Sequence, residues 1–181
     1  MDYIRQSLAE DEELVHVGHF HWLYTVGAVF NIVFGVILAI VIIAVAIAME
    51  PMLPAFLRFD VPYDASLLDK VRAVHPGVKI LAFLVMVMGM FRYAQMMIIK
   101  VTTEIAITNK RLVYKRGLVA RYVGEINIDR IEGVNVLQGV LGRIFNYGRI
   151  MVRGMGVGEV ILPPIEEPLK FRRAIERARS V

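Results

Sequence analysis

Between Trp22 and Met49 the chain carries no charged residue over 28 positions. As a helix rising 1.5 Å per residue, that run is about 42 Å long, against a bilayer hydrocarbon core of about 30 Å. Lipid offers no partner to a backbone N–H or C=O, so a lone crossing segment has to be helical. Trp22 and Tyr24 open the run, where an amphipathic ring sits well at headgroup level. Ala46-Ile47-Ala48 offers the small-x-small pattern of a signal-peptide cleavage site. The segment ahead of the run is acidic rather than basic, however, and the run is about twice the length of a signal core. A spanning helix is therefore expected over 22–49.

A second apolar block covers 78–99. His75-Pro76-Gly77 is a helix-start or turn signal ahead of it, and Arg92 interrupts it about two turns from its end, close enough to snorkel to the headgroups. Two crossings put both termini on one side. Lys100, Lys110, Arg111, Lys115 and Arg116 follow the second block, while the connecting stretch and the residues just past it hold Arg58, Lys70, Arg72 and Lys79. The positive-inside rule then favours cytoplasmic termini and an outer loop at 50–77, by a narrow margin. Within that loop Ser66 to Val74 reads as a short helix, with Leu67, Leu68, Val71 and Val74 on one face and Asp64 or Ser66 as its N-cap. In the first block Gly35 and Ala39, and Ala44 and Ala48, have the small-xxx-small spacing of close helix packing. Asn31 offers an interhelical hydrogen bond.

Hydrophobic residues make up 57% of the chain, and the excess over a soluble domain lies in these two blocks. There is no cysteine, which excludes disulfides, thiolate metal sites and cysteine nucleophiles. Charge is unevenly distributed. The first 21 residues carry Arg5 against Asp2, Glu10, Asp11, Glu12 and Glu13, whereas from Lys100 onward 15 Lys/Arg face 8 Asp/Glu.

After Lys100 the pattern alternates as strands do. Strands are expected at 103–108 and 111–115 with Asn109-Lys110 as the turn, then at 119–128, 132–136, 148–153 and 159–162. Leu137, Val140, Leu141 and Ile144 have helical spacing, which suggests a short helix or compact loop over 137–145. Gly154 to Gly158 is a turn and Pro163-Pro164 a sheet stop. Glu167 to Ala178 reads as an amphipathic helix with Phe171, Ile175 and Ala178 inward and Arg172, Arg173 and Arg177 in solvent.

The stretch Thr103-Glu104-Ile105-Ala106-Ile107-Thr108-Asn109-Lys110-Arg111-Leu112-Val113 resembles the opening of the bacterial pleckstrin-homology (PH) domain found in small membrane proteins. Arg116-Gly117, Glu125-Ile126 with Asp129-Arg130-Ile131, and Leu141-Gly142-Arg143 with Tyr147-Gly148 are similar to the same family, as is Tyr3-Ile4 through His21-Trp22. The resemblance covers nearly the whole chain apart from the outer loop. It implies two transmembrane helices followed by a PH-like β-barrel or sandwich capped by a C-terminal α-helix. In that division 1–21 is an N-terminal cytoplasmic segment, 22–49 and 78–99 are the spans, 50–77 is the outer loop and 100–181 the PH-like domain. These motifs form a fold rather than a catalytic site, and fold alone is weak warrant for function.

The candidate contact surface is the basic hairpin Lys110, Arg111, Lys115 and Arg116, with Arg121 beyond it. Each such cation near an anionic leaflet contributes about 1 kcal/mol to membrane contact, and the alternative is a solvated hairpin that only sets topology. His16, His19 and His21 cluster ahead of the first span, yet a metal needs three or four converging ligands, and no metal or other cofactor is expected. Gly154, Gly156 and Gly158 lack the Lys-Ser/Thr and the helix of a phosphate loop. Glu166-Glu167 fits a helix start. No nucleophile is paired with a base, so no catalytic residue is proposed. The expected function is a binding or scaffold module on the cytoplasmic face of a bacterial inner membrane, contacting anionic lipid headgroups, a protein partner or another copy of itself. A structural homo-oligomer is the alternative, and a transporter or enzyme component a third. Nucleic acid is not an expected partner, since no base-stacking aromatic platform accompanies the charge.

Overall fold

The computed structural model describes residues 2–180 apart from 53, 55–57, 59–61, 63, 118–121 and 157. It divides into two units, one formed by 26–96 and the other by 1–25 together with 97–181.

The first unit is built on two long helices, α2 (Trp22–Ala48) and α4 (Pro76–Thr102), with the short α3 (Leu67–Ala73) between them. Both long helices are long and apolar enough to cross a membrane. Only 17% and 11% of their most apolar windows is buried, which is not how a core helix of a water-soluble domain is packed. Phe30, Phe34, Ile37 and Ile40 on one helix, and Ile80, Phe83, Met88 and Phe91 on the other, are more than half exposed. The two helices meet where neither has a side chain: a Cβ added at Gly35 would lie 3.3 Å from the Gly89 Cα, and one at Gly89 would lie 2.6 Å from the Asn31 carbonyl oxygen. Of the small residues spaced along the first block, Gly35 thus packs against the second long helix of this chain. Asn31 donates to the Gly27 carbonyl at 2.7 Å and to the Met96 sulfur at 3.6 Å, an interhelical bond. Pro76 starts α4, where its missing N–H costs nothing, and the His75 Nδ1 accepts from the Gly77 N–H. Ser66 caps α3 by accepting from the Asp69 N–H.

The second unit is antiparallel. One sheet runs β1 (Leu14–Gly18), β2 (Glu104–Thr108), β3 (Arg111–Arg116) and β4 (Tyr122–Asn127). The other runs β5 (Ile131–Leu137), β6 (Tyr147–Gly154) and β7 (Gly158–Ile161), with the two-residue β8 (Ile165–Glu166) also on β6. A 3-10 turn over Ile128–Arg130 carries the chain from β4 to β5, and α5 (Val140–Ile144) lies between β5 and β6. The C-terminal helix α6 (Pro168–Arg179) closes one end. Ile105, Ile107, Leu112 and Ile126 from the first sheet, Ile150, Val152 and Ile165 from the second, and Phe171 and Ile175 from α6 form one core. Burial of one such aliphatic side chain contributes about 1.5–3 kcal/mol.

Two expectations change. The barrel is not closed: among the described residues β4 and β5 do not pair, and the sheets face each other as a sandwich. The Ile128–Arg130 turn redirects the chain between layers instead of letting the ladder continue. Strand pairing also resumes after Pro163-Pro164, where Ile165 pairs with Gly148 and bridges to Phe20.

The N-terminal segment adds what alternation after Lys100 did not announce. Leu14–Gly18 is an edge strand on β2, with Val17 opposite Ala106 and Gly18 opposite Ile105. Helix α1 (Asp2–Ser7) lays Ile4 over Ala106 and Val113. The outer face of β2 and β3 is therefore covered too, which explains why β2 is buried at consecutive positions rather than alternately.

Candidate interaction surface

The β2–β3 turn is built by one hydroxyl. Thr108 is fully buried, and its Oγ1 accepts from the Lys110 and Arg111 N–H groups at 3.2 and 2.9 Å while donating to the Glu12 carboxylate at 2.7 Å. Threonine suits such a turn because its oxygen satisfies backbone donors two and three residues on. Asn109 extends the tie by accepting from the Glu13 N–H at 3.0 Å.

This turn delivers the basic residues to acidic partners. The Arg111 guanidinium grips Glu12 through Nε at 2.9 Å and Nη2 at 2.8 Å, reaches Glu125 at 2.7 Å and donates to the Ser7 carbonyl at 2.7 Å. Burial opposes ionisation of Glu12, but the hydrogen bonds from Arg111 and Thr108 outweigh it and hold the carboxyl below the usual range. Donating to the Glu12 carboxylate in turn raises the Arg111 pKa. Lys110 pairs with Asp11. Lys115 lies 3.1 Å from Glu104, whose other oxygen accepts from the Ile4 N–H. Burial disfavours the Glu104 carboxylate, and Lys115 with the Ile4 N–H overcomes that cost, so its pKa is lowered as well.

Of the five basic residues singled out in the sequence, three therefore meet acids of the same unit. Arg116 stands apart: it is exposed, and its guanidinium carbon lies 5.5 Å above the Tyr122 ring. Arg121 lies outside the described residues.

Beside Arg116 is a cavity of about 500 Å³, all of whose walls belong to the same unit. Tyr24, Ile98 and Thr102 line it from the ends of the long helices, Thr103 from the joint between α4 and β2, Tyr114 from β3, Arg149 and Ile161 from the second sheet, and Pro163 from the segment between β7 and β8. Among the described residues none that lines it is acidic. The Thr103 hydroxyl is buried with no hydrogen-bond partner among the described residues. Arg149 and Thr103 escaped sequence reading because an outward arginine on a strand and a threonine at a strand start carry no distinguishing local pattern.

A second feature of this unit is apolar. Val140, Leu141 and Ile144 of α5 are 77%, 60% and 68% exposed, and the Trp22 ring meets the Phe145 ring edge-on. The three histidines diverge: His16 packs on Phe171, His19 faces Glu166 and His21 stacks between Trp22 and Tyr147. Among the described residues no three His, Asp or Glu side chains converge as a metal site would require.

The family model described as bacterial PH domain matches residues 17–179. Neither the comparison with curated proteins nor that with solved structures gives a match.

Proposed function

Because the chain belongs to the bacterial PH domain family, we propose that it is a membrane-anchored, non-catalytic binding module held against the cytoplasmic face of the inner membrane. The observation that carries this reading is the shortness of both tethers. β1 ends at Gly18 and α2 begins at Trp22, while α4 ends at Thr102 and β2 begins at Glu104. A domain joined by so few residues to two crossing helices stays within reach of the headgroups. Its contact residues are the exposed Arg116, Trp22 and the apolar side chains of α5, cationic and apolar groups of the kind that interfacial segments combine. Lys110, Arg111 and Lys115 serve mainly to bind the N-terminal segment to the sheet. Binding of a protein partner remains compatible with the same anchor. Self-association through the first helix is less favoured, since Gly35 is already packed on Gly89.

Topology tests the reading directly, in a chain with no cysteine of its own. Met52, 80% exposed between the two long helices, and the exposed Glu10 are replaced singly by cysteine. In spheroplasts a membrane-impermeant maleimide is expected to label Met52→Cys at once and Glu10→Cys only after lysis. The opposite pattern, or release of the chain from membranes by alkaline carbonate, overturns it.

A further inference from the structure

We propose that the cavity between Arg116 and Arg149 holds the phosphodiester of an anionic phospholipid, drawn from the bilayer that the reading above assigns to the two long helices and on which this site therefore rests.

Charge is the first argument. Among the described residues neither arginine has an acidic partner, although most other cations of the hairpin do, and the lining contains no carboxylate. Two guanidinium groups that meet no anion among the described residues are available to an external one, and guanidinium matches phosphate oxygens through paired N–H donors. The Tyr122 ring takes the face of Arg116, which leaves its in-plane N–H edge for hydrogen bonding. The second argument is the orphaned Thr103 hydroxyl in the same wall. A buried hydroxyl without a partner costs free energy, and a phosphate oxygen is the acceptor it lacks.

The rest of the lining selects a lipid over a free anion. Ile98 and Ile161 give the cavity an apolar wall suited to a glycerol and the first acyl carbons, and Tyr24 adds an aromatic face. Tyr24 lies in the first turn of α2 and Ile98 in the last turns of α4. The ends of two crossing helices lie at headgroup depth, so a phosphodiester meets the cavity without leaving the bilayer.

The test uses the full chain purified in mild detergent, with retained lipid measured by native mass spectrometry against short-chain phosphatidylglycerol, short-chain phosphatidylcholine and soluble glycerol phosphate. The wild type is expected to bind phosphatidylglycerol about tenfold more tightly than phosphatidylcholine, in keeping with the attraction of two cations for an anionic headgroup. Arg116→Gln with Arg149→Gln is expected to abolish that preference, whereas Arg172→Gln with Arg173→Gln, an equal charge change at exposed positions of α6, preserves it. Thr103→Val, nearly the same size, is expected to weaken phosphatidylglycerol binding severalfold, and it decides the matter if the double variant does not fold. Undiminished preference in the cavity variants overturns the site, and so does glycerol phosphate binding as well as the lipid. Carbonate extraction of the wild type separates the two failures. An integrated chain without lipid preference loses the site but keeps the anchor, and a chain that is not integrated loses both.

Discussion

Arg111 and Glu12 are 99 residues apart in the chain and 2.8 Å apart in the fold. The Glu12 side chain is 2% exposed and that of Arg111 23%, so the pair ties the segment before α2 to the sheet that follows α4. An acid on the edge segment and an arginine on the third strand thereby join the first 18 residues to a domain whose other strands begin at Glu104.

Removing one partner leaves the other buried without its counter-charge. Glu12→Gln keeps the shape and is expected to destabilise the domain by about 1–3 kcal/mol. Arg111→Ala, which also abandons Glu125 and the Ser7 carbonyl, is expected to cost about 3–5 kcal/mol. Thermal unfolding of the full chain in detergent reads both, and an Arg111→Ala loss no greater than that of Glu12→Gln contradicts this account of the network.

Acid should loosen the same contacts. The Glu12 and Glu104 carboxyls are held below the usual range in the fold, so the unfolded chain takes up their protons first as pH falls. Their contribution is complete above the ordinary glutamate value of about 4.3 and is lost as pH drops from there through the lowered folded values. The unfolding midpoint should thus decline below about pH 4.3, and Glu12→Gln with Glu104→Gln should flatten the decline while lowering the plateau at neutral pH.

The helix pair depends on a contact that tolerates no side chain. At Gly89 a Cβ would lie 2.6 Å from the Asn31 carbonyl oxygen, and backbone cannot move aside as a side chain can. Gly89→Val is expected to push the helices apart at a cost of about 1–3 kcal/mol. Gly35→Ala, whose nearest contacts are at 3.3 Å, should cost less. Heat-induced aggregation in detergent gives the order, and equal midpoints for the two variants argue against the close approach.

A fragment starting at residue 101 would lack β1, α1 and Glu12, leaving the edge of β2 unpaired. Such an edge invites pairing with other chains, so the fragment is expected to aggregate. Gly18 lies opposite Ile105 in the ladder, which brings the two tethers close together. Replacing 26–96 by a short Gly/Ser linker should therefore yield a soluble, folded monomer, as judged by gel filtration and circular dichroism. A monomeric 101–181 fragment would show that β1 is dispensable.

Much of this architecture was legible locally. The uncharged run from Trp22 bounded the first long helix, and Pro76 marked the start of the second. The alternation after Lys100 located most strands to within a residue or two, and Phe171, Ile175 and Ala178 identified the buried face of α6. These features follow from backbone hydrogen bonding and side-chain periodicity, which depend on near neighbours in the chain. Leu14–Gly18 was different, because an edge strand exists only through a partner some ninety residues away, and five residues have little tendency of their own. The opposite charges of the N-terminal segment and the hairpin were visible in the sequence, but which cations they neutralise was not.

That assignment came from the tertiary structure. Composition gives Arg111 and Arg116 the same charge on the same strand; the fold brings Arg111 to Glu12 and Glu125, while Arg116 is paired with Tyr122 in the ladder and borders the cavity that Arg149 also lines. The sequence by itself determined where the chain is apolar, where it alternates and where its charges lie. Only the fold decided which charges meet a counter-charge, because Coulomb and hydrogen-bond energies depend on separations of a few ångströms that no spacing along the chain encodes.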